Sequence, residues 1–141
     1  AIEEGLIDPE TSIRLGDRGG LYGPEDVERF EASGIEAYTT EEVTELGIED
    51  AGERLRKRVE GPTFATIDVD AVDPAYAPGT GTPMPGGFTS REILRLTRQL
   101  HGVDLVGFDL VEVSPPYDDR AGSTATLAAN IMFEALCAAL D

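Results

Sequence analysis

Apolar side chains recur with period two in some stretches of this chain and near 3.6 in others, and glycines and prolines mark the switches between them. The opening residues AIEEGL read as the end of a helix with no beginning, and Ser12 to Leu15 follows as a short strand candidate. Gly19, Gly20 and Gly23 punctuate a loop that leads to Pro24. Proline suits a first helical position, where its fixed φ is compatible and its missing N–H is not needed. That helix runs through Phe30 and is closed by Gly34, and Ile35 to Tyr38 is the next strand. Thr39 with Glu42 forms a capping box, each side chain satisfying the other's free amide, and opens a short helix that Gly47 breaks. Ile48 to Val59 carries a charged helical pattern ended by Gly61 and Pro62.

Thr63 to Ile67 is β-rich and apolar enough for a buried strand, and it runs directly into the aspartates of TIDVDAVDP. Beyond a loop dense in glycine and proline, Thr89 and Glu92 form a second capping box. Ile93, Leu96, Thr97 and Leu100 then share one buried helical face, and Gly102 stops the helix. Asp104 to Val111 is a further strand ending in the VEVSPP turn. Thr124 to Leu140 is a long helix, apolar and buried except for a stripe of Thr126, Asn130 and Glu134. Strands alternating with helices of this length predict an α/β fold with a parallel sheet covered on both faces.

With 141 residues, 40% of them hydrophobic, the chain suits one compact domain or a large piece of one. No run of about 18 apolar residues and no basic start before an apolar core signals membrane insertion or secretion, so a soluble cytoplasmic protein is the expectation. The single cysteine, Cys137, is expected as a small core hydrophobe. The net charge of −17 is no tail effect: residues 1–60 hold 17 acids against 7 bases, and residues 61–141 hold 11 against 4. Such a surface repels nucleic acid and anionic lipid and attracts cations. Lys57 is the only lysine, and adaptation to salt explains the acidity more economically than steering of a cationic substrate.

In an extended segment Asp68 and Asp70 project to the same side, with carboxylates within roughly 7 Å. Parallel sheets place ligand sites at the carboxyl ends of their strands, and a divalent cation turns such repulsion into coordination. The bland alternative is that these aspartates cap a turn or the next helix. Asp73, before Pro74, suits an Asx-type bond that sets the loop. An EF-hand starting at Asp68 is excluded, because its sixth and twelfth positions hold Asp73 and Gly79 where glycine and glutamate are required.

The segment TIDVDAVDPAYAPGTGTPMPGGFTSREIL as a whole resembles the signature of the ureohydrolase family of arginases and agmatinases. In that signature a strand ends in DxDxxDP and is followed by a PGTGTP loop and a GG turn into a helix. VGFDLVEVSPPYD resembles the family's second C-terminal element, and RLGDRG is a loose likeness to a family strand and loop. The resemblance implies a three-layer α/β/α sandwich with a mostly parallel sheet, of which residues 1–141 would be the C-terminal part. By position, Asp68 resembles the carboxylate that bridges two manganese ions, Asp70 a ligand of one of them, and Asp73 a structural aspartate. Glu112 resembles the glutamate that pairs with the substrate guanidinium, a planar carboxylate being the natural partner of a planar cation; a surface turn acid is its other reading. Thr80 and Thr82 are expected to orient these ligands or the substrate, or equally to build a glycine and proline turn, and Asp109 is expected as a buried, hydrogen-bonded support.

The implied activity is agmatinase-like, hydrolysis of a guanidino compound to urea and an amine, with two Mn2+ ions lowering the pKa of a shared water. Agmatine ranks first as substrate, guanidinobutyrate-type compounds second and arginine third. The family's other ligands lie in GGDH-like and DAHxD-like segments, and neither occurs here. His101, the only histidine, is better explained as a favourable charge at a helix C-terminus than as a ligand. The complete enzyme is therefore expected to be active and this piece alone to be inactive, and the resemblance implies a homotrimer or hexamer for the complete enzyme. A structural or interaction role is the alternative of another class, since a partial sheet exposes an edge and apolar helix faces.

Overall fold

The computed structural model describes residues 1–20 and 23–140, so the middle of the loop between Gly20 and Gly23 lies outside the described residues. Strands and helices alternate as the hydrophobic pattern predicts. β1 (Ile13–Asp17) and β2 (Glu36–Thr39) pair in parallel, with Leu15 opposite Tyr38. β3 (Thr63–Asp68) and β4 (Leu105–Val111) form a second parallel pair, with Thr66 opposite Asp109 and Asp68 opposite Val111. The helices are α1 (Pro24–Ala32), α2 (Thr40–Leu46), α3 (Ile48–Arg58), α4 (Ser90–Arg98) and α5 (Ser123–Leu140).

Local chemistry accounts for where the helices start. Both capping boxes are formed: the Glu42 N–H donates to Thr39 Oγ1 at 3.2 Å, the Glu92 N–H donates to Thr89 Oγ1 at 3.2 Å, and each glutamate accepts the reciprocal amide bond. Helix α3 has Glu49 and Asp50 in its first turn and Arg56, Lys57 and Arg58 in its last, opposite in sign to the helix dipole at each end. Residues 1–6 form turns, with Gly5 N–H to Ile2 O and Leu6 N–H to Ala1 O bonds.

The core gathers Phe88, Ile131, Val43, Val69 and Val72, all essentially inaccessible, with Ile67 of β3 and Leu110 of β4 packed against it. Helix α5 lies on β4 and on α4, where Arg98 grips Glu134 through two hydrogen bonds of 2.8 and 2.5 Å.

Four sequence expectations change. The strands form two separate pairs rather than one sheet covered on both faces. β3 is half-buried, not buried, with Phe64 60% exposed, because residues alternate between the core and a side that this chain leaves open. Helix α5 is long and apolar enough to cross a membrane by length and composition. Its docking on β4 and α4 accounts for the buried face through Leu127, Ala128, Ile131 and Ala135, but Phe133 and Leu140 are 63% and 78% exposed, so it is no buried rod. Cys137 sits on that outward side and is exposed rather than core.

Candidate active site

Because β3 and β4 run parallel, their carboxyl ends share one edge, and the register puts Asp68 beside Val111 with Glu112 the next residue. Asp68 is the last residue of β3 and caps the turn that follows, accepting the Asp70 N–H at 2.8 Å. Asp70 therefore lies in a tight turn, Val69–Ala71, and not in an extended strand, so the two-residue alternation does not set its direction. Its carboxylate is set by the loop beyond: the Thr80 hydroxyl donates to Oδ1 and the Thr82 hydroxyl to Oδ2. Sequence reasoning left both threonines open, and the structure brings both onto Asp70.

Burial pushes the Asp68 carboxyl above its usual range, and the negative charges of Asp70 and Glu112 push the same way, against the Asp70 N–H and Arg18. Glu112 is thus close enough to be felt by Asp68. Among the described residues it is the one non-glycine with a left-handed backbone, φ 65°. A non-glycine residue held there costs about 1–2 kcal/mol, the kind of local strain found where a side chain must be aimed.

Asp73 has the loop-setting role that its place before Pro74 suggests. It accepts the Ala75 N–H at 2.9 Å, the Gly86 N–H at 2.7 Å and the Gly87 N–H at 3.3 Å, and these amides, Ala75 first, hold its carboxyl below the usual range. Gly87 is where two backbone segments touch: a Cβ there would lie 2.4 Å from the Asp73 nitrogen.

Arg18, just past β1, was not singled out by sequence reasoning beyond its place in RLGDRG. Its guanidinium donates to the carbonyls of Asp70, Val72 (3.2 Å) and Met84 (3.0 Å), tying both loops to β1. Burial lowers its pKa, while the carboxylates of Asp70, Asp73 and Asp68 oppose that shift. On the other flank, the Gly79 N–H donates to Thr124 Oγ1 at 2.8 Å and the Ser114 N–H to Gly79 O at 2.7 Å, so the threonine loop is joined to the start of α5 and to the segment after Glu112.

Two further residues fall differently from expectation or away from the site. Asp109 is not a hydrogen-bonded support: its Oδ1 is buried with no partner, on the strand position opposite Thr66. His101 is exposed beyond α4 and precedes β4, whose seven residues separate it from the Asp68 edge by roughly 20 Å.

Asp68 and Asp70 supply oxygen donors of the kind divalent cations take, and a cation would offset both the burial and the lesser like-charge repulsion that raise the Asp68 pKa. They fit such an ion in kind but not in number. Among the described residues, no three His, Cys, Asp or Glu side chains gather to hold a metal.

Comparison with known proteins shows the family and the fold. Residues 1–138 match the sequence model of the Arginase family. The chain is 50% identical to the guanidinopropionase of Pseudomonas aeruginosa over 138 residues, 97% of this chain and 43% of that protein. It is 41% identical to the guanidinobutyrase of the same organism over 97% of its own length and 43% of the relative's. In structure it matches proclavaminate amidino hydrolase from Streptomyces clavuligerus with a TM-score of 0.91 at 42% identity, covering 98% of this chain and 46% of that one. Arginase from Bacillus caldovelox gives a TM-score of 0.81 at 32% identity, covering 92% and 44%. The chain thus spans less than half the length of these relatives, and its fold is the α/β fold of arginase-type proteins. With residues 1–138 matched, almost its whole length, the chain belongs to the arginase family.

Proposed function

We propose that the whole protein hydrolyses the guanidinium group of a small guanidino compound to urea and an amine, at a binuclear manganese site to which this chain contributes Asp68 and Asp70. The observation that carries this reading is the convergence at one strand edge of Asp68, the hydroxyl-held Asp70 and the backbone-strained Glu112. Bound cations would lower the pKa of a water for attack on the guanidinium carbon. The residues of this chain do the holding and aiming. Asp68 and Asp70 present carboxylates at the strand edge, and Glu112 offers a planar acceptor on which a guanidinium forms two parallel hydrogen bonds.

A guanidino acid as substrate is supported by the 50% identity to a guanidinopropionase and the 41% identity to a guanidinobutyrase. That puts guanidino acids ahead of agmatine, the substrate that the PGTGTPMPGG and SPPYD segments favour. The test is urea release by the full-length protein with added Mn2+, offered guanidinopropionate, guanidinobutyrate, agmatine and arginine. Turnover is expected to vanish in Asp68→Ala, and KM to rise in Glu112→Gln. Urea release that survives Asp68→Ala, or its absence with all four compounds, would overturn the proposal.

A further inference from the structure

We propose that Thr80 and Thr82 are positioning residues for a divalent cation at Asp70, acting through their hydroxyl groups. The inference rests on the metal reading above and goes beyond it, since it assigns a role to two side chains that make up neither the ligand set nor the guanidinium acceptor.

Each hydroxyl donates to a different oxygen of the same carboxylate, Thr80 Oγ1 to Oδ1 and Thr82 Oγ1 to Oδ2. A carboxylate oxygen has two lone pairs, so each oxygen keeps one for a cation while the plane of the group can no longer turn. The two bonds reach back ten and twelve residues, and a hydroxyl that merely built its own turn would bond a neighbouring backbone group instead. The loop does not need them for its path. It is anchored by the Gly79 N–H on Thr124, by the Ser114 N–H on Gly79 O, and by the Thr80 N–H on Pro78 O at 3.0 Å. The Asp70 turn is held separately, through its carbonyl, by Arg18. With both backbones secured elsewhere, the hydroxyls act on the direction of the carboxylate. Thr80 is 4% exposed, so its hydroxyl works out of water, whereas Thr82 is exposed.

The experiment is a calorimetric Mn2+ titration of the metal-stripped full-length protein and of its Thr80→Val, Thr82→Val, Thr80→Ser, Thr82→Ser and Asp70→Asn variants. Unfolding midpoints of the metal-free forms are recorded alongside. Loss of a group that orients a ligand typically weakens metal binding on the order of 10–100-fold. Each valine variant is expected to lose affinity on that scale with its metal-free midpoint unchanged, and each serine variant to recover wild-type affinity. If Thr80→Val fails to fold, the exposed Thr82→Val decides the matter alone. Wild-type affinity in the valine variants, with affinity lost in Asp70→Asn, would overturn this inference and leave the metal reading standing. Wild-type affinity in Asp70→Asn would overturn both.

Discussion

Glycines in the loops around Asp73 give a ranking that can be worked out from geometry alone. A Cβ at Gly87 would lie 2.4 Å from Asp73 N, 2.6 Å from Val72 C and 2.8 Å from Ala71 O, where ordinary contact begins at 3.4 Å. All three obstacles are backbone, so relief needs a shift of about 1 Å between two segments that are hydrogen-bonded by Asp73 N–H to Phe88 O at 2.9 Å and Phe88 N–H to Ala71 O at 2.9 Å. Overpacking that displaces backbone costs typically 1–3 kcal/mol, and a rigid obstacle puts Gly87→Ala near 3. Gly86 has open space around it but φ +84°, so Gly86→Ala carries only the left-handed penalty of about 1–2 kcal/mol. Gly81 has open space and no positive φ, and Gly81→Ala is expected within about 0.5 kcal/mol of wild type. Urea unfolding of the full-length protein, compared at equal slope, reads all three. Gly87→Ala as stable as Gly81→Ala, or Gly86→Ala the worst of the set, would refute the reasoning.

The raised Asp68 pKa fixes the sign of a pH effect in the metal-free protein. Its stabilising contribution is fully present below the usual aspartate value of 3.8 and is lost as pH rises through the higher folded value, so Asp68→Asn should flatten the decline of unfolding midpoints across that interval; identical slopes for both proteins would count against the shift. Glu112→Gly should release backbone strain and raise stability by about 1 kcal/mol while abolishing urea release, a pairing that a surface turn acid would not produce. Phe88→Ala, at a fully buried position between the Asp73 loop and Gly16, should cost about 3–5 kcal/mol in urea unfolding, and a loss below 1 would mean that the site does not rest on this ring.

What was legible in the sequence was whatever depends on a few neighbouring residues. The two capping boxes, the helix opened by Pro24 and the four strands follow from local pattern, and each lies within two residues of its expected place. Asp73 could be read because its partners Ala75, Gly86 and Gly87 belong to one loop with a proline and glycine signature. Arg18 could not, since its three carbonyl partners are more than fifty residues away. The turn at Asp70 was read as extended because alternating residues past a strand do not announce where the chain begins to turn. Burial was overestimated for Cys137 and Phe64 for a single reason. Apolarity says that a surface wants cover, and which surface is covered depends on tertiary packing that local pattern does not encode.

The way the carboxylates are held says something about their use. Among the described residues the ion pairs are Arg14 with Asp17, Lys57 with Glu53, Arg58 with Glu36, Arg95 with Glu49 and Arg98 with Glu134, and none includes Asp68, Asp70 or Glu112. Arg18, the cation nearest the strand edge, gives its hydrogen bonds to carbonyl oxygens, although three carboxylates are close enough to shift its pKa. A salt bridge would have fixed Asp70 equally well but would have cancelled its charge. Neutral donors, two hydroxyls on Asp70 and a backbone amide on Asp68, fix direction and leave the charge in place. Burial first, and then the negative charges of Asp70 and Glu112, raise the Asp68 pKa, so uncancelled charge on these oriented groups works against stability, and it is the arrangement that the proposed function requires.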